Sequence, residues 1–439
     1  MSDELLPQTL YSADYVVTQN DGRDIIEGGA VLTEGDRITC VGHADMLGIM
    51  YPDAEKVDMG HSVIMPGLIN AHTHVPMSLL RGFSDDKALM DWLTQDIFPQ
   101  EAKLTPELVE LGATFSMAEM LRTGTTAFYD MYMFEPSVFR AADKMGMRAV
   151  LGENATQFFP SLTCKDLDAH CDLVRAIADE YRNHPRLRQA VVPHAPYTTN
   201  PDMLVKLREL ATETGSLFGM HLAETKGETE GCLKQYGKTP VAYCRDLGLL
   251  TADATFFHVV DVTAEDIEML ADGRCCAVHN PASNMKLASG VSPVEKLLAQ
   301  RVPVALGTDG PASNNAQNMV REMYMAALLH KVDELSPTAT PAQLALDMAT
   351  RHGSAALHDP FIGTLEPGMR ADFIALSLDT PNMQPVHHIV SNIVYAATGM
   401  ENRLTVVDGR MLYRDGKYLT CDYDALCAEM KQALAWAKK

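Results

Sequence analysis

The chain has 439 residues, 46% apolar and 21% charged, which is the balance of a packed soluble protein and excludes fibrous and disordered classes. Its 58 acidic residues against 36 basic ones leave a net charge of −22, which opposes binding to nucleic acid or to an anionic membrane. The nine cysteines are odd in number, scattered and without a C-x-x-C spacing, so reduced thiols in a cytoplasm are expected in place of a disulfide framework.

In chain order, the start MSDELLPQTLYSADYVV is acidic and lacks the basic-then-apolar run of a signal peptide. No later window holds the ~18 consecutive apolar residues of a membrane helix. The first ~65 residues read as short strands, Tyr15–Thr18, Ala30–Thr33 and Arg37–Val41, with turns at Asn20-Asp21-Gly22 and Glu34-Gly35-Asp36. The middle alternates apolar runs with amphipathic stretches. Eight runs are found: Ser62–Asn70, Thr125–Tyr132, Arg148–Asn154, Gln189–His194, Leu217–His221, Thr255–His258, Cys275–His279 and Val302–Thr308. Thr105-Pro106 opens one intervening helix and Gly124 stops it, with Gly146, Gly215, Gly248 and Gly273 at comparable ends. The last ~75 residues return to strands, Ala371–Leu376 and Arg403–Val407, with Asp408-Gly409 and Asp415-Gly416 hairpin turns. A final helix runs from about Tyr423 to Ala437. Eight strand–helix units predict an α/β fold, a (β/α)8 TIM-like barrel over residues 66–365, with a small β-sandwich domain built from residues 1–65 and 366–439.

Catalytic groups of such barrels sit at the C-terminal ends of strands, and histidines and acids gather there. His72 and His74 are two apart on a strand and point the same way, so they can share a metal. The fifth run ends at His221 with Glu224 three residues on; the sixth ends at His258; the eighth is followed by Asp309. A lone histidine at a strand end is ordinarily a hydrogen-bonded structural residue. The whole set on strands 1, 5, 6 and 8 points instead to a metal site. Three imidazoles and a carboxylate suit one Zn2+, with Fe2+ or Mn2+ as alternatives. Such a metal lowers the pKa of a bound water towards ~7 and makes it a nucleophile. Glu224 is placed to carry protons to a leaving group, Asp309 to hold the metal and the water's proton, and His258 to orient the nucleophile.

Pro66-Gly67-Leu68-Ile69-Asn70-Ala71-His72-Thr73-His74 resembles the opening motif of the amidohydrolase superfamily. More narrowly, the chain resembles the 5′-methylthioadenosine/S-adenosylhomocysteine deaminase family over almost its whole length. The matching segments are Leu80–Asp86, Gln100–Leu104, Pro193–Tyr197, His221–Thr225, His279–Asn284 and Gly307–Asn315. The resemblance implies a mononuclear site with ligands His72, His74, His221 and Asp309, Glu224 as proton shuttle and His258 orienting the hydroxide. It also implies that Glu101 binds the ribose and His194 contacts the purine. Binuclear relatives bridge two metals with a carboxylated lysine on strand 4; here that strand ends Val192-Pro193-His194, so one metal is expected.

Each residue also has a plainer reading. Glu101 by itself is a solvated charge ahead of a helix, and His194 a core histidine. His279 is tempting as a further ligand, but the set of four is complete without it. Ser313 either contacts substrate or caps a helix beginning near Asn314. Trp92, with Met77 and Leu80, either lines a purine pocket or packs a helix. The stretch after Arg148 carries no arginine to hold a homocysteine carboxylate, places Glu153 where a cation would serve, and offers Phe158, Phe159 and Pro160 as an apolar wall; Lys165 is the nearest rescuing cation.

The expectation is therefore a cytoplasmic zinc-dependent aminohydrolase acting on a 6-aminopurine nucleoside, with 5′-methylthioadenosine and adenosine preferred to S-adenosylhomocysteine. Its partner is a small-molecule substrate, with no nucleic acid and no membrane, and a homo-oligomer is left open. The alternatives are an aminohydrolase for guanine, cytosine or an s-triazine, and a non-catalytic scaffold.

Overall fold

The computed structural model describes residues 6–437; the acidic first five residues lie outside it. Eight parallel strands form the centre: β1 (Leu68–Thr73), β2 (Thr125–Tyr132), β3 (Arg148–Ala155), β4 (Leu187–Pro193), β5 (Leu217–Leu222), β6 (Ala254–His258), β7 (Cys276–His279) and β8 (Val304–Leu306). They pair in sequence order with helices between them. The ring is nearly closed. The Asp309 N–H donates to the His72 carbonyl (3.0 Å) and the Thr308 N–H to Asn70 Oδ1 (2.9 Å), joining the end of β8 to β1. All eight strands are buried almost throughout, as strands covered on both faces must be.

The sandwich expected of the termini takes the form of one continuous nine-stranded sheet. Ser62–Pro66 lies at its centre, parallel to Gln8–Val17 and antiparallel to Phe373–Ser377. Tyr11, Val31, Ile64 and Phe373 form one apolar cluster in it, and Leu10, Leu32 and Leu47 another. The first apolar run is thus two strands in two sheets, divided at Gly67. A Cβ at Gly67 would stand 2.0 Å from Thr126 Oγ1, so only glycine lets the chain cross from sheet to barrel there.

The helix punctuation follows the expected chemistry. Thr105 caps Pro106–Thr123 by accepting from the Leu108 N–H (3.3 Å), and Gly124 ends it at φ +91°. Gly273 is an exception. It is the last residue of its helix, and Arg274 takes the left-handed turn at φ 56°. Both Asp-Gly hairpins have positive φ at each central residue, the type I′ signature. Residues 75–104, between β1 and the Pro106 helix, carry no simple period. They form short 3-10, α and π turns that wall one side of the barrel mouth.

Candidate active site

At the C-terminal end of the barrel lies a cavity of about 680 Å3. His72 enters from β1, His74 from just beyond it, His221 from β5 and Asp309 from just beyond β8. One ligand atom from each lies within 4.8 Å of the others. Asp309 Oδ1 stands 3.3 Å from His72 Nε2 and 3.2 Å from His74 Nε2. Each ligand is held from behind. His74 Nδ1 bonds the Met131 carbonyl (2.6 Å) and His221 Nδ1 the His194 carbonyl (2.8 Å), which turns both Nε2 atoms inward. His72 stacks on Phe257 with ring centroids 4.0 Å apart. Asp309 Oδ2 accepts from Ser283 Oγ (2.6 Å) and Ser313 Oγ (2.7 Å), leaving Oδ1 for the centre.

The donor set fits a cation. His72 is fully buried, yet neither ring nitrogen has a hydrogen-bond partner, a state that is costly unless a metal satisfies it. Burial pushes His72 down to about 3 and His221 well below its usual value, so both are neutral ligands. Burial also opposes charge on His74, but the Asp309 carboxylate beside it raises His74 to about 9. A divalent ion at the point where the two meet would supply that positive charge in place of a proton.

Around this centre, Glu224 is buried and its carboxyl is raised by burial. His258 Nε2 lies 3.9 Å from Glu224 Oε2, and His258 Nδ1 is 2.8 Å from Asn284 Oδ1. Glu101 lines the cavity from the short turn Phe98–Glu101 and accepts from the Tyr132 hydroxyl (2.7 Å), which leaves Oε2 free. His194 lines it as well, with Nδ1 against Thr198 Oγ1 (2.9 Å); burial lowers it to about 3. Trp92 both lines the wall and packs, its indole N–H donating to the Ser84 carbonyl (3.1 Å).

Other expectations shift. Ser313 lines the cavity, but its hydroxyl is committed to Asp309, and the long helix beyond, Met319–Asp333, is capped by Asn318 instead. Leu80 packs in the core while Met77 reaches the cavity. His279 is buried outside the ligand set, 5.0 Å ring to ring from His330. Glu153 faces away: its carboxylate accepts from the Glu135 N–H (2.8 Å), and its neighbour Asn154 takes the cavity side by strand alternation. Phe158 and Pro160 line the cavity, whereas Phe159, partly buried, packs against the core. Lys165 is solvent-exposed. Sequence reasoning missed Ser283, Asn284, Tyr132 and Glu228. Glu228 accepts from the backbone N–H groups of Ala223 (2.9 Å) and Glu224 (2.8 Å), and so fixes the turn that carries Glu224. Its signal was legible: Thr225-Lys226-Gly227-Glu228 has capping-box spacing at the start of a helix.

The amidohydrolase family profile matches residues 63–412. The chain belongs to the amidohydrolase family. Within it, a 5-methylthioadenosine/S-adenosylhomocysteine deaminase of Nitratidesulfovibrio vulgaris is 51% identical over 98% of this chain and 97% of its own. One from Lawsonia intracellularis is 46% identical over 99% and 98%. A solved adenosine deaminase from Xanthomonas campestris with bound zinc superposes with a TM-score of 0.94 at 33% identity, covering 99% of both chains. A zinc-complexed atrazine chlorohydrolase from Arthrobacter aurescens, at 22% identity over 97% of this chain and 100% of its own, shares the fold with a TM-score of 0.91. This amidohydrolase is therefore an enzyme of the 5-methylthioadenosine/S-adenosylhomocysteine deaminase family. No helix among its described residues is long and apolar enough to cross a membrane.

Proposed function

We propose that this amidohydrolase deaminates a 6-aminopurine nucleoside by hydrolysis, with 5′-methylthioadenosine and adenosine preferred to S-adenosylhomocysteine. The observation that carries the reading is a single cavity onto which His74, His221, Asp309, Glu224, His258 and Glu101 all open. His72, His74, His221 and Asp309 would hold one zinc ion, which, when bound, acidifies water so that it attacks at neutral pH. Glu224, whose carboxyl burial raises above its usual range, delivers a proton to the ring nitrogen beside the amino-bearing carbon and makes that carbon electrophilic. It then passes the attacking water's proton to the departing ammonia. His258 and Asp309, which both open onto the cavity, would orient that water. The free Glu101 oxygen accepts from the ribose hydroxyls, and the His194 edge contacts the purine. These last two contacts favour a ribosyl purine over guanine, cytosine or an s-triazine. All nine cysteines are unpaired, which supports a reducing cytoplasmic setting.

The preference at the 5′ carbon rests on charge. No Lys or Arg is among the residues lining the cavity, whereas Phe158, Pro160 and Leu162 are. A methylthio group can lie against that wall, while a homocysteine carboxylate there would find no cation among the lining residues. The test is the ratio of kcat/KM for the two thioethers, read from the ultraviolet change as the 6-amino purine becomes 6-oxo. It is expected to favour 5′-methylthioadenosine by roughly tenfold or more. A ratio favouring S-adenosylhomocysteine would refute the apolar-wall argument.

A further inference from the structure

β7 supplies none of the four metal ligands, yet the segment that follows it reaches three of the groups around the metal position. Ser283 Oγ donates to Asp309 Oδ2 (2.6 Å), and Ser289 Oγ stands 3.5 Å from Glu224 Oε1. Between them, Asn284 Oδ1 lies 2.8 Å from His258 Nδ1. Ser283 and Asn284 belong to one short helix, Pro281–Lys286, and both are buried. The helix is itself anchored: the Ala282 N–H donates to the buried Glu322 carboxylate (3.1 Å), and Lys286 Nζ to the Ala312 carbonyl (3.1 Å).

The Asn284 contact sets which nitrogen of His258 carries hydrogen. Both residues are buried, and among the described residues the Asn284 side chain bonds nothing but this ring. An amide oxygen has no hydrogen to give, so at 2.8 Å the hydrogen sits on Nδ1. In the neutral imidazole that leaves Nε2, the nitrogen 3.9 Å from Glu224 Oε2, with a free lone pair. Asn280 Nδ2 would serve the opposite tautomer, but at 3.3 Å from Nδ1 it makes the longer contact. The backbone below is held as well. His258 and Val259 both lie in the left-handed region, at φ 74° and 46°, a strain that persists only where the surroundings over-determine it. Ser292, from the same segment, donates to the Val259 carbonyl (2.8 Å). We propose that Asn284 is a positioning residue that fixes His258 as a hydrogen-bond acceptor at Nε2. An acceptor holds the attacking water by its hydrogen and leaves the water's lone pair free to attack; a donor there would occupy that lone pair. The reaction served is the deamination proposed above, whereas the tautomer is a property of the chain alone.

The test is nitrogen-15 NMR of the zinc-loaded full chain with labelled histidine, His258 being assigned by the signals lost in His258→Gln. The unmutated ring should carry hydrogen on Nδ1 and none on Nε2. Asn284→Leu keeps the bulk and removes the acceptor. It should move the ring towards the Nε2–H form and lower kcat roughly ten- to a hundredfold, the range for a lost buried hydrogen bond, with KM within about twofold and one zinc per chain retained. Asn284→Asp returns an oxygen opposite Nδ1 and should recover that tautomer and most of kcat. An unmutated ring with hydrogen on Nε2 would overturn the proposal, because the Asn284 amide would then be turned the other way and donate; this spectrum decides even if Asn284→Leu does not fold. An unchanged tautomer in Asn284→Leu, or an Asn284→Asp no faster than Asn284→Leu, would also overturn it. If the unmutated zinc enzyme deaminates no nucleoside, the deaminase reading fails instead, and the tautomer still decides the role of Asn284.

Discussion

Glu224 and His221 lie three residues apart, but the cavity gives them opposite tasks. Burial holds His221 well below its usual range, as a neutral ligand, whereas the same burial raises the Glu224 carboxyl and so favours its taking up a proton. Glu224→Gln preserves shape and removes only the transferable proton. It should retain stoichiometric metal and lose turnover by roughly 10²–10⁴-fold. Metal analysis alongside steady-state rates checks both halves, and near-normal turnover would remove Glu224 from the mechanism. The strand-end histidines and Asp309 were legible because the chemistry demands those residue types at those ends. The two serines on Asp309 were not: hydroxyls bond so many partners that Ser283 gives no signal until β7 and β8 are side by side.

At the scale of elements, the loop from β5 into helix Lys226–Tyr236 decides where Glu224 points. Ala223 has φ 51°, a costly conformation for a residue with a Cβ, and the Glu228 carboxylate holds it by bonding two successive N–H groups. Glu228→Gln replaces one acceptor by a donor and should lower kcat roughly ten- to a hundredfold, the cost of leaving a buried N–H without its acceptor, while metal content stays constant. If Glu228 acts through Glu224, the same change in a Glu224→Gln background costs nothing further, measured by single turnover with excess enzyme. Equal losses in both backgrounds would make Glu228 a general structural residue. The strands of the barrel and the Thr105, Gly124 and Asp-Gly punctuation were readable from local sequence. The π turns over Trp92–Ile97 were not, because packing around the cavity, and no local period, sets their shape.

Across the whole molecule, the barrel and the terminal sheet are bound by a buried charge cluster. Arg148, at the start of β3, donates to Asp372 (2.6 and 3.1 Å) and Asp408 (2.9 Å), both from the C-terminal part of the sheet. Arg148 and Asp372 are buried, so Arg148→Met strands the Asp372 carboxylate without its cation, while Asp408 keeps Arg370 (3.4 Å). The expected loss is ~3–5 kcal/mol, seen as a lower thermal midpoint with kcat/KM unchanged at moderate temperature. A midpoint equal to the unmutated protein's would show that the cluster contributes no net stability. This joint was not legible, since its partners are 224 and 260 residues apart and each reads locally as an ordinary surface charge. That both termini build one sheet was legible from their shared strand character alone. The most direct test of the central claim is ammonia release from 5′-methylthioadenosine by the zinc-loaded protein and by the same preparation after chelation. Loaded protein should yield ammonia and the 6-oxo nucleoside in equal amounts, lose this activity on chelation and regain it with zinc. Intact nucleoside in the presence of a fully loaded site, or full-rate deamination by the metal-free protein, would contradict the account.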